Sequence, residues 1–188
     1  MAQSAIVAVI DFEERYRQEC ASVIHQLADW FGIEASNQAY IAALGRLPTF
    51  LVHDEERVLG FIALEETSVE AVEIHVMAVA PDRHRSGIGR AMVSRAEGWM
   101  RFRGLRILHV KTLGPSHPDP YYARTRAFYQ ALGFRPVFET TALWGAENPS
   151  LVLVKLIAGV TRGPGAHGTN PPREAPRASG GRCGAKHR

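Results

Sequence analysis

Residues 79–90 read Val79-Ala80-Pro81-Asp82-Arg83-His84-Arg85-Ser86-Gly87-Ile88-Gly89-Arg90. An apolar run stops at a proline, a turn with two glycines follows, and a helical pattern begins at once. The free N–H groups and dipole of that helix therefore open onto the turn, a pattern suited to holding a pyrophosphate. Gly87 and Gly89 let backbone amides approach phosphate oxygens with no Cβ in the way, and Arg85 and Arg90 add countercharge. Residues 83–106 hold seven arginines and one acid, Glu97, which predicts attraction of a multiply phosphorylated ligand. An ordinary strand-to-helix turn with solvated arginines accounts for the same residues. Two nucleotide patterns fail on detail: GxGxxG needs glycine where Met92 stands, and no GxxxxGK followed by Ser or Thr is present.

Upstream of this turn, Ile74, Val76 and Ala78 alternate with Glu73, His75, Met77 and Val79. As a strand, this places the apolar set on one face and two titratable groups on the other. At 3.3 Å per residue, Glu73 lies about 13 Å from Met77 and about 20 Å from Val79. A carboxylate so placed can act as a base, or be an ordinary salt-bridged strand residue. His75 is a weaker candidate for proton relay. Glu65, Glu66 and Glu70 gather with Glu73 near one sheet end, either favouring a cationic acceptor or simply lining solvated turns. Cys20 and Cys183 stand far apart with no His or Cys at metal spacing, so neither a disulfide framework nor a metal site is indicated.

The elements that must position these residues follow from hydrophobic period. A short strand over 6–10 is followed by Phe12, Tyr16, Cys20, Val23, Leu27 and Phe31 at steps of four and three, which predicts one amphipathic helix ending at Gly32. A second short helix carries Tyr40, Ile41 and Leu44. Runs at 49–53, 58–64 and 71–80 read as an antiparallel meander. Ile88, Ala91, Met92, Ala96, Trp99 and Met100 mark a helix of about fifteen residues, and 105–111 is the next strand. A proline-rich loop leads to a helix over 122–132, capped by Gly133, and strands at about 134–141 and 151–156 finish an α/β domain with a mixed sheet.

The chain has 188 residues, a net charge of +3 and 46% hydrophobic residues. That suits one domain with a core, or one domain and a tail. No apolar run reaches the roughly 18 residues of a membrane span, and the start lacks a basic region before its apolar stretch, so no membrane partner or secretory signal is expected and the cytoplasm is the expected location. The charge is unevenly spread: residues 160–188 carry +5 and the remainder −2. That last stretch is rich in Gly and Pro and holds no Leu, Ile, Phe, Tyr or Trp, so it cannot bury enough surface to offset ordering entropy. We expect a folded domain at 4–158 and a disordered basic tail at 159–188. Nucleic-acid binding would rest on that tail alone.

His84-Arg85-Ser86-Gly87-Ile88-Gly89, after a strand ending in a Val-x-Pro element, resembles the cofactor motif of the GNAT acyltransferase superfamily, with His84 where Gln or Arg is usual. Residues 125–134, Thr125-Arg126-Ala127-Phe128-Tyr129-Gln130-Ala131-Leu132-Gly133-Phe134, are similar to the helix-to-strand element of the same family, with Tyr122 where Asn is frequent. The resemblance spans about 49–156. It implies a mostly antiparallel mixed sheet of six or seven strands flanked by about four helices. It also implies acetyl-CoA as co-substrate, its phosphates gripped by the amides of residues 85–90 and its acyl arm met by backbone of Met77, Ala78 and Val79. His84, Arg85, Ser86, Gly87, Ile88, Gly89, Arg90 and Tyr122 complete the implied cofactor contacts. The implied activity is direct acetyl transfer to the amine of a small molecule, peptide or protein. Only a free amine attacks a thioester, and alkylamines have pKa near 10, so a base is useful. Glu73 aligns with the base of the histone-acetylating branch, and Tyr129 is implied as the acid beside the sulfur; a lone helical tyrosine also commonly packs in a core. Trp30, Phe31, Tyr40, His117 and Asp119 are candidate walls of the acceptor site, or core and surface residues. A homodimer through the closing strands is a further implied possibility. The alternative is a domain of this fold that binds acyl-CoA without turnover.

Overall fold

The computed structural model describes residues 8–159. The expected basic tail from residue 160 onward, and the first part of the expected strand at 6–10, lie outside the described residues. Within them the order is β1 (Ile10–Asp11), a 3-10 turn, α1 (Arg17–His25), α2 (Glu34–Ala43), β2 (Thr49–His53), β3 (Val58–Glu66), β4 (Ala71–Val79), α3 (Ile88–Arg103), β5 (Ile107–Leu113), α4 (Pro120–Ala131), β6 (Arg135–Thr140) and β7 (Ser150–Leu156). The seven strands form one sheet in the order β1-β2-β3-β4-β5-β7-β6, the mixed α/β architecture with four helices that the sequence implied. No described helix is long and apolar enough to cross a membrane.

Two cores flank the sheet. Cys20, Val23, Ile24 and Leu27 project from and just beyond α1 onto Leu51, Phe61, Ala63, Val76 and Ala78. On the other face Ile88, Met92, Val93, Ala96 and Met100 of α3 meet Ile62, Leu64, Val72, Ile74 and Leu108, together with Tyr129, Leu132 and Phe134 of the α4 region. These helical sets recur at steps of three and four, the spacing that turns one stripe toward a sheet.

The ends of α3 and α4 are set by glycine. Gly104 (φ 75°) closes α3, with Leu105 N–H bonded to Met100 O. Gly133 (φ 90°) closes α4, with Phe134 N–H bonded to Tyr129 O. Both are six-to-one closures that need a left-handed residue. At its start α4 is capped by Asp119, whose carboxylate accepts from Tyr121 and Tyr122 N–H at 2.8 and 2.9 Å.

The expected single helix from Phe12 to Phe31 is corrected. A 3-10 turn at Glu14–Tyr16 precedes α1, which ends at His25, and residues 27–31 form turns closed by Trp30 and Phe31 N–H bonds to Leu27 O. The four-residue spacing of Leu27 and Phe31 survives in a turn because Trp30 is drawn away to α4, where its indole N–H donates to Thr125 Oγ1 at 3.0 Å. The expected strand at 105–111 is realised at Ile107–Leu113, since Leu105 is consumed in the α3 closure.

Candidate functional site

The phosphate-loop expectation rests on local backbone, and there the geometry is specific. A 3-10 turn at Pro81–Arg83 follows β4. Arg85 then takes φ 64° and Gly87 φ 90°, two left-handed residues that swing the chain into α3. No side chain caps this helix start, so the first N–H groups of α3 lack intrahelical acceptors and point into the turn. Successive amides of this kind make an anion-binding concavity. Around Gly87 there is open space where a Cβ would stand, while a Cβ on Gly89 would come within 3.0 Å of the Phe128 ring. Gly89 thus lets α4 close on the loop, a role distinct from the phosphate contact expected of it.

The arginine excess resolves into separate tasks. Arg83 pairs with Asp82 and Asp54, Arg95 with Asp11, Arg101 with Glu97 and Arg103 with Glu66. Arg85 and Arg90, at the loop, make no ion pair among the described residues. The loop's available countercharge is therefore these two; the arginines at the end of α3 lie a whole helix away, roughly 24 Å at 1.5 Å per residue. Ser86 Oγ donates to Arg83 O at 2.5 Å and His84 Nε2 to Val79 O at 2.9 Å, so both side chains brace the turn.

Next to this loop the sheet forks. β4 and β5 run parallel and paired only at Ala71, Val72 and Glu73 opposite Ile107, Leu108 and His109. Beyond Glu73, β4 stays with β3 and β5 stays with β7, which leaves the backbone edge of β4 from Ile74 to Val79 facing a gap. Unpaired N–H and C=O groups along such an edge can receive an extended polyamide as they would another strand. Met77, Ala78 and Val79 lie along this edge.

The alternation expected for β4 is corrected at this point. Ala63 pairs with Val76 but Leu64 with Ile74, so His75 is an extra, bulged residue. The phase of the strand inverts across it: Val72 and Ile74 enter the α3 core, whereas Val76 and Ala78 enter the α1 core and Met77 and Val79 pack toward α3. Glu73 consequently shares the α1 face with Val76 and Ala78 rather than opposing them. A bulge places one residue too many against its partner strand, and period-two reading cannot detect it.

Glu73 is 8% exposed, directly opposite Glu65 on β3 and His109 on β5. Lys111 Nζ donates to its Oε1 at 2.8 Å. His75 Nδ1 lies 3.2 Å from Glu65 Oε2, its ring against Tyr40 of α2; His109 Nε2 lies 2.9 Å from Thr67 Oγ1, and burial lowers the His109 pKa. The expected glutamate cluster is therefore two groups, because Glu66 turns to Arg103. Lys111 was absent from the sequence-derived site; the signal that would have found it is its type, one of three lysines among nineteen arginines.

Tyr129 lies on the other side, buried in the α3 core between Phe128 and Phe134, each with ring centroids 5.2 Å from it. Burial alone raises its phenol pKa, so the hydroxyl is neutral. Glu73 and Tyr129 thus occupy opposite faces of the sheet, and the open fork is where groups from both faces can converge. Tyr122, expected at the cofactor, donates its hydroxyl to Trp30 O at 2.9 Å, and burial pushes its pKa up to about 12. Trp30 in turn packs against Tyr121 (4.9 Å) and His84 (5.6 Å), joining the phosphate loop to α4 across the fork. Of the other candidate walls, Phe31 and Tyr40 pack on each other at 5.9 Å. Asp119 is spent as the α4 cap. His117 lines an open cleft of about 370 Å³ with Ser116, Thr141 and Glu147.

The mixed sheet is thus forked between its fourth and fifth strands, with a glycine-opened helix start at the mouth of the fork. Residues 46–136 match the family described as "Acetyltransferase (GNAT) domain". Over 90 residues it is 33% identical to a mycothiol acetyltransferase of Beutenbergia cavernae, which covers 47% of this chain. The chain spans 28% of the length of that relative. In fold it is similar to the ribosomal-protein-S18-alanine N-acetyltransferase of Escherichia coli, with a TM-score of 0.67 at 16% identity over 84% of this chain and 97% of that one. It is likewise similar to an aminoglycoside 6'-N-acetyltransferase complexed with coenzyme A, with a TM-score of 0.64 at 15% identity over 80% and 97%. At these identities the structural likenesses are likenesses of fold.

Proposed function

We propose that this protein transfers an acetyl group from acetyl-CoA to an amine by direct attack in a ternary complex, with residues 4–158 as the catalytic unit. The observation that carries the reading is the fork: a free strand edge leads from an uncapped, glycine-opened helix start to a buried carboxylate, Glu73. The first amides of α3, with Arg85 and Arg90, hold the pyrophosphate. The acyl arm lies along the edge of Met77, Ala78 and Val79, whose amides pair with it and polarise the thioester carbonyl. Glu73 takes the proton that the amine must lose. Tyr129, neutral in its apolar surroundings, gives a proton to the departing thiolate from the opposite face. The structural neighbours named for an aminoglycoside and for an alanine of ribosomal protein S18 support an amine acceptor of either size.

Thiol release from acetyl-CoA with a panel of polyamines, aminoglycosides, amino acids and peptides tests the reading. Glu73→Gln should lower kcat by about 100-fold or more, the scale of a general base, with the Kd for CoA unchanged. Tyr129→Phe should lower kcat by about 10-fold or more. Undiminished kcat in either variant removes that residue from its role.

A second reading is favoured by one observation, the engagement of Glu73 by Lys111: a module that binds acyl-CoA and does not turn it over. Tight CoA binding without thiol release on any amine selects it.

A further inference from the structure

Cationic charge in this chain is almost entirely arginine: nineteen Arg stand against Lys111, Lys155 and Lys186. Arginine cannot lose its proton in a protein, whereas lysine can and then becomes a nucleophile. Lys155 has a structural use, its Nζ 2.5 Å from Glu97 Oε1, tying β7 to α3. Lys111 has a different setting. Its Nζ donates to Glu73 at 2.8 Å, with side-chain exposures of 33% and 10% for the two residues. Were the pairing of Glu73 with His109 continued, Lys111 would stand level with His75, the bulged residue where the fork opens. The other groups around the pair are Glu65 from β3, His75 from β4, His109 from β5, and Tyr40 from α2, which packs on His75. An alkylammonium is therefore already docked on the carboxylate that would serve as base, at the edge of the gap that would hold the thioester.

We propose that Lys111 is a self-acetylation site, modified in cis by acetyl-CoA held in the fork of its own chain. The inference rests on the reading of the fork as the acetyl-CoA site. Lys111 Nζ passes one proton to the Glu73 carboxylate, and the freed lone pair attacks the thioester carbonyl carbon. The N–C bond forms, the C–S bond breaks, and its electron pair leaves on sulfur. The nitrogen sheds its second proton as the tetrahedral adduct collapses, the thiolate takes up that proton to become CoA thiol, and Glu73 returns the first proton to solvent. The product is a neutral amide, so the ion pair is lost and Glu73 is left facing Glu65 without its cation.

The experiment needs no acceptor. The full chain is incubated with acetyl-CoA alone, and acetylation is followed by intact mass and peptide mapping, with CoA binding measured in parallel by calorimetry. One acetyl group should appear on Lys111, at least 10-fold faster than on Lys155, with a rate that saturates in acetyl-CoA and does not depend on protein concentration. Glu73→Gln should slow it by about 100-fold, while Lys111→Arg keeps the cation, binds CoA as the parent does, and acquires no acetyl group at 111. CoA binding with Lys111 unmodified, or modified no faster than Lys155, overturns the inference and leaves the fork reading standing. Equal rates in Glu73→Gln, with its fold verified by circular dichroism, also overturn it. Absence of CoA binding by the parent chain overturns the fork reading and the inference together.

Discussion

Two glycines of the same helix offer a paired test of the phosphate-loop geometry. Gly87 opens α3 at φ 90° and Gly98 lies in its interior, and neither would bring a Cβ within 4 Å of another group. Alanine therefore meets no clash at either site, and in both it restricts the unfolded chain equally. What differs is the folded backbone. Alanine at 87 must hold the left-handed region, at about 1–2 kcal/mol, whereas alanine at 98 replaces the poorest ordinary helix former and gains about 0.8–1 kcal/mol. The two variants should differ by about 2–3 kcal/mol in opposite directions around the parent. For a domain of this size that is a Tm gap of roughly 4 to 12 °C. Urea denaturation gives the signs, and calorimetric titration with CoA gives the function: Gly87→Ala should weaken binding by about 10-fold or more as the first amides of α3 turn, and Gly98→Ala should leave it unchanged. A Gly87→Ala protein as stable as the parent, binding CoA equally well, would refute the argument that this turn is held open for its amides.

Further expectations follow from burial. Cys20 is fully buried and desolvation pushes its thiol from 9.0 to about 12, so in a Cys183→Ser background it should resist a thiol reagent at pH 8 and react on unfolding. The native state holds this proton more tightly than the unfolded chain. Its stabilising effect is therefore whole below about pH 9 and declines from there toward pH 12. Tyr122 adds a like contribution between 10 and about 12, and Tyr122→Phe should lessen the alkaline loss in a urea series across that range. Gly60→Ala should destabilise by about 1–3 kcal/mol, because its Cβ would lie 2.8 Å from Ala78 O; a neutral effect on urea unfolding would show that β3 and β4 can separate at no cost.

The sequence made the element order legible because each element carries its own signal. The α3 stripe, the meander and the glycine closures all depend on residues within one turn or one strand. Pro136 at an edge and the apolar stretch of β7 agree with β7 lying inside β6, although that order was not read in advance. What escaped was non-local. The bulge at His75 is decided by how β3 pairs, not by β4, and it moved Glu73 to the other face. The end of α1 is decided by an indole reaching Thr125, ninety-five residues away. Glu73 and Tyr129 were nameable from motifs, but the pairing of Lys111 with Glu73 depends on β5 standing beside β4. The Gly133-Phe134 motif has a local cause that its spacing alone does not disclose: it closes α4 and seats a ring against Tyr129.

The bulge in β4 has a mechanical consequence. The first half of the strand gives Val72 and Ile74 to the α3 layer, whereas the second half gives Val76 and Ala78 to the α1 layer and Met77 and Val79 to the α3 layer, with Glu73 and His75 at the joint. The buried side chains of the two halves thus anchor in different layers, and a displacement of one layer relative to the other is taken up as a change of angle at that joint. Substitutions buried deep in α1 and others buried deep in α3, sharing no contact, should therefore produce the same symptom, a misaimed Glu73.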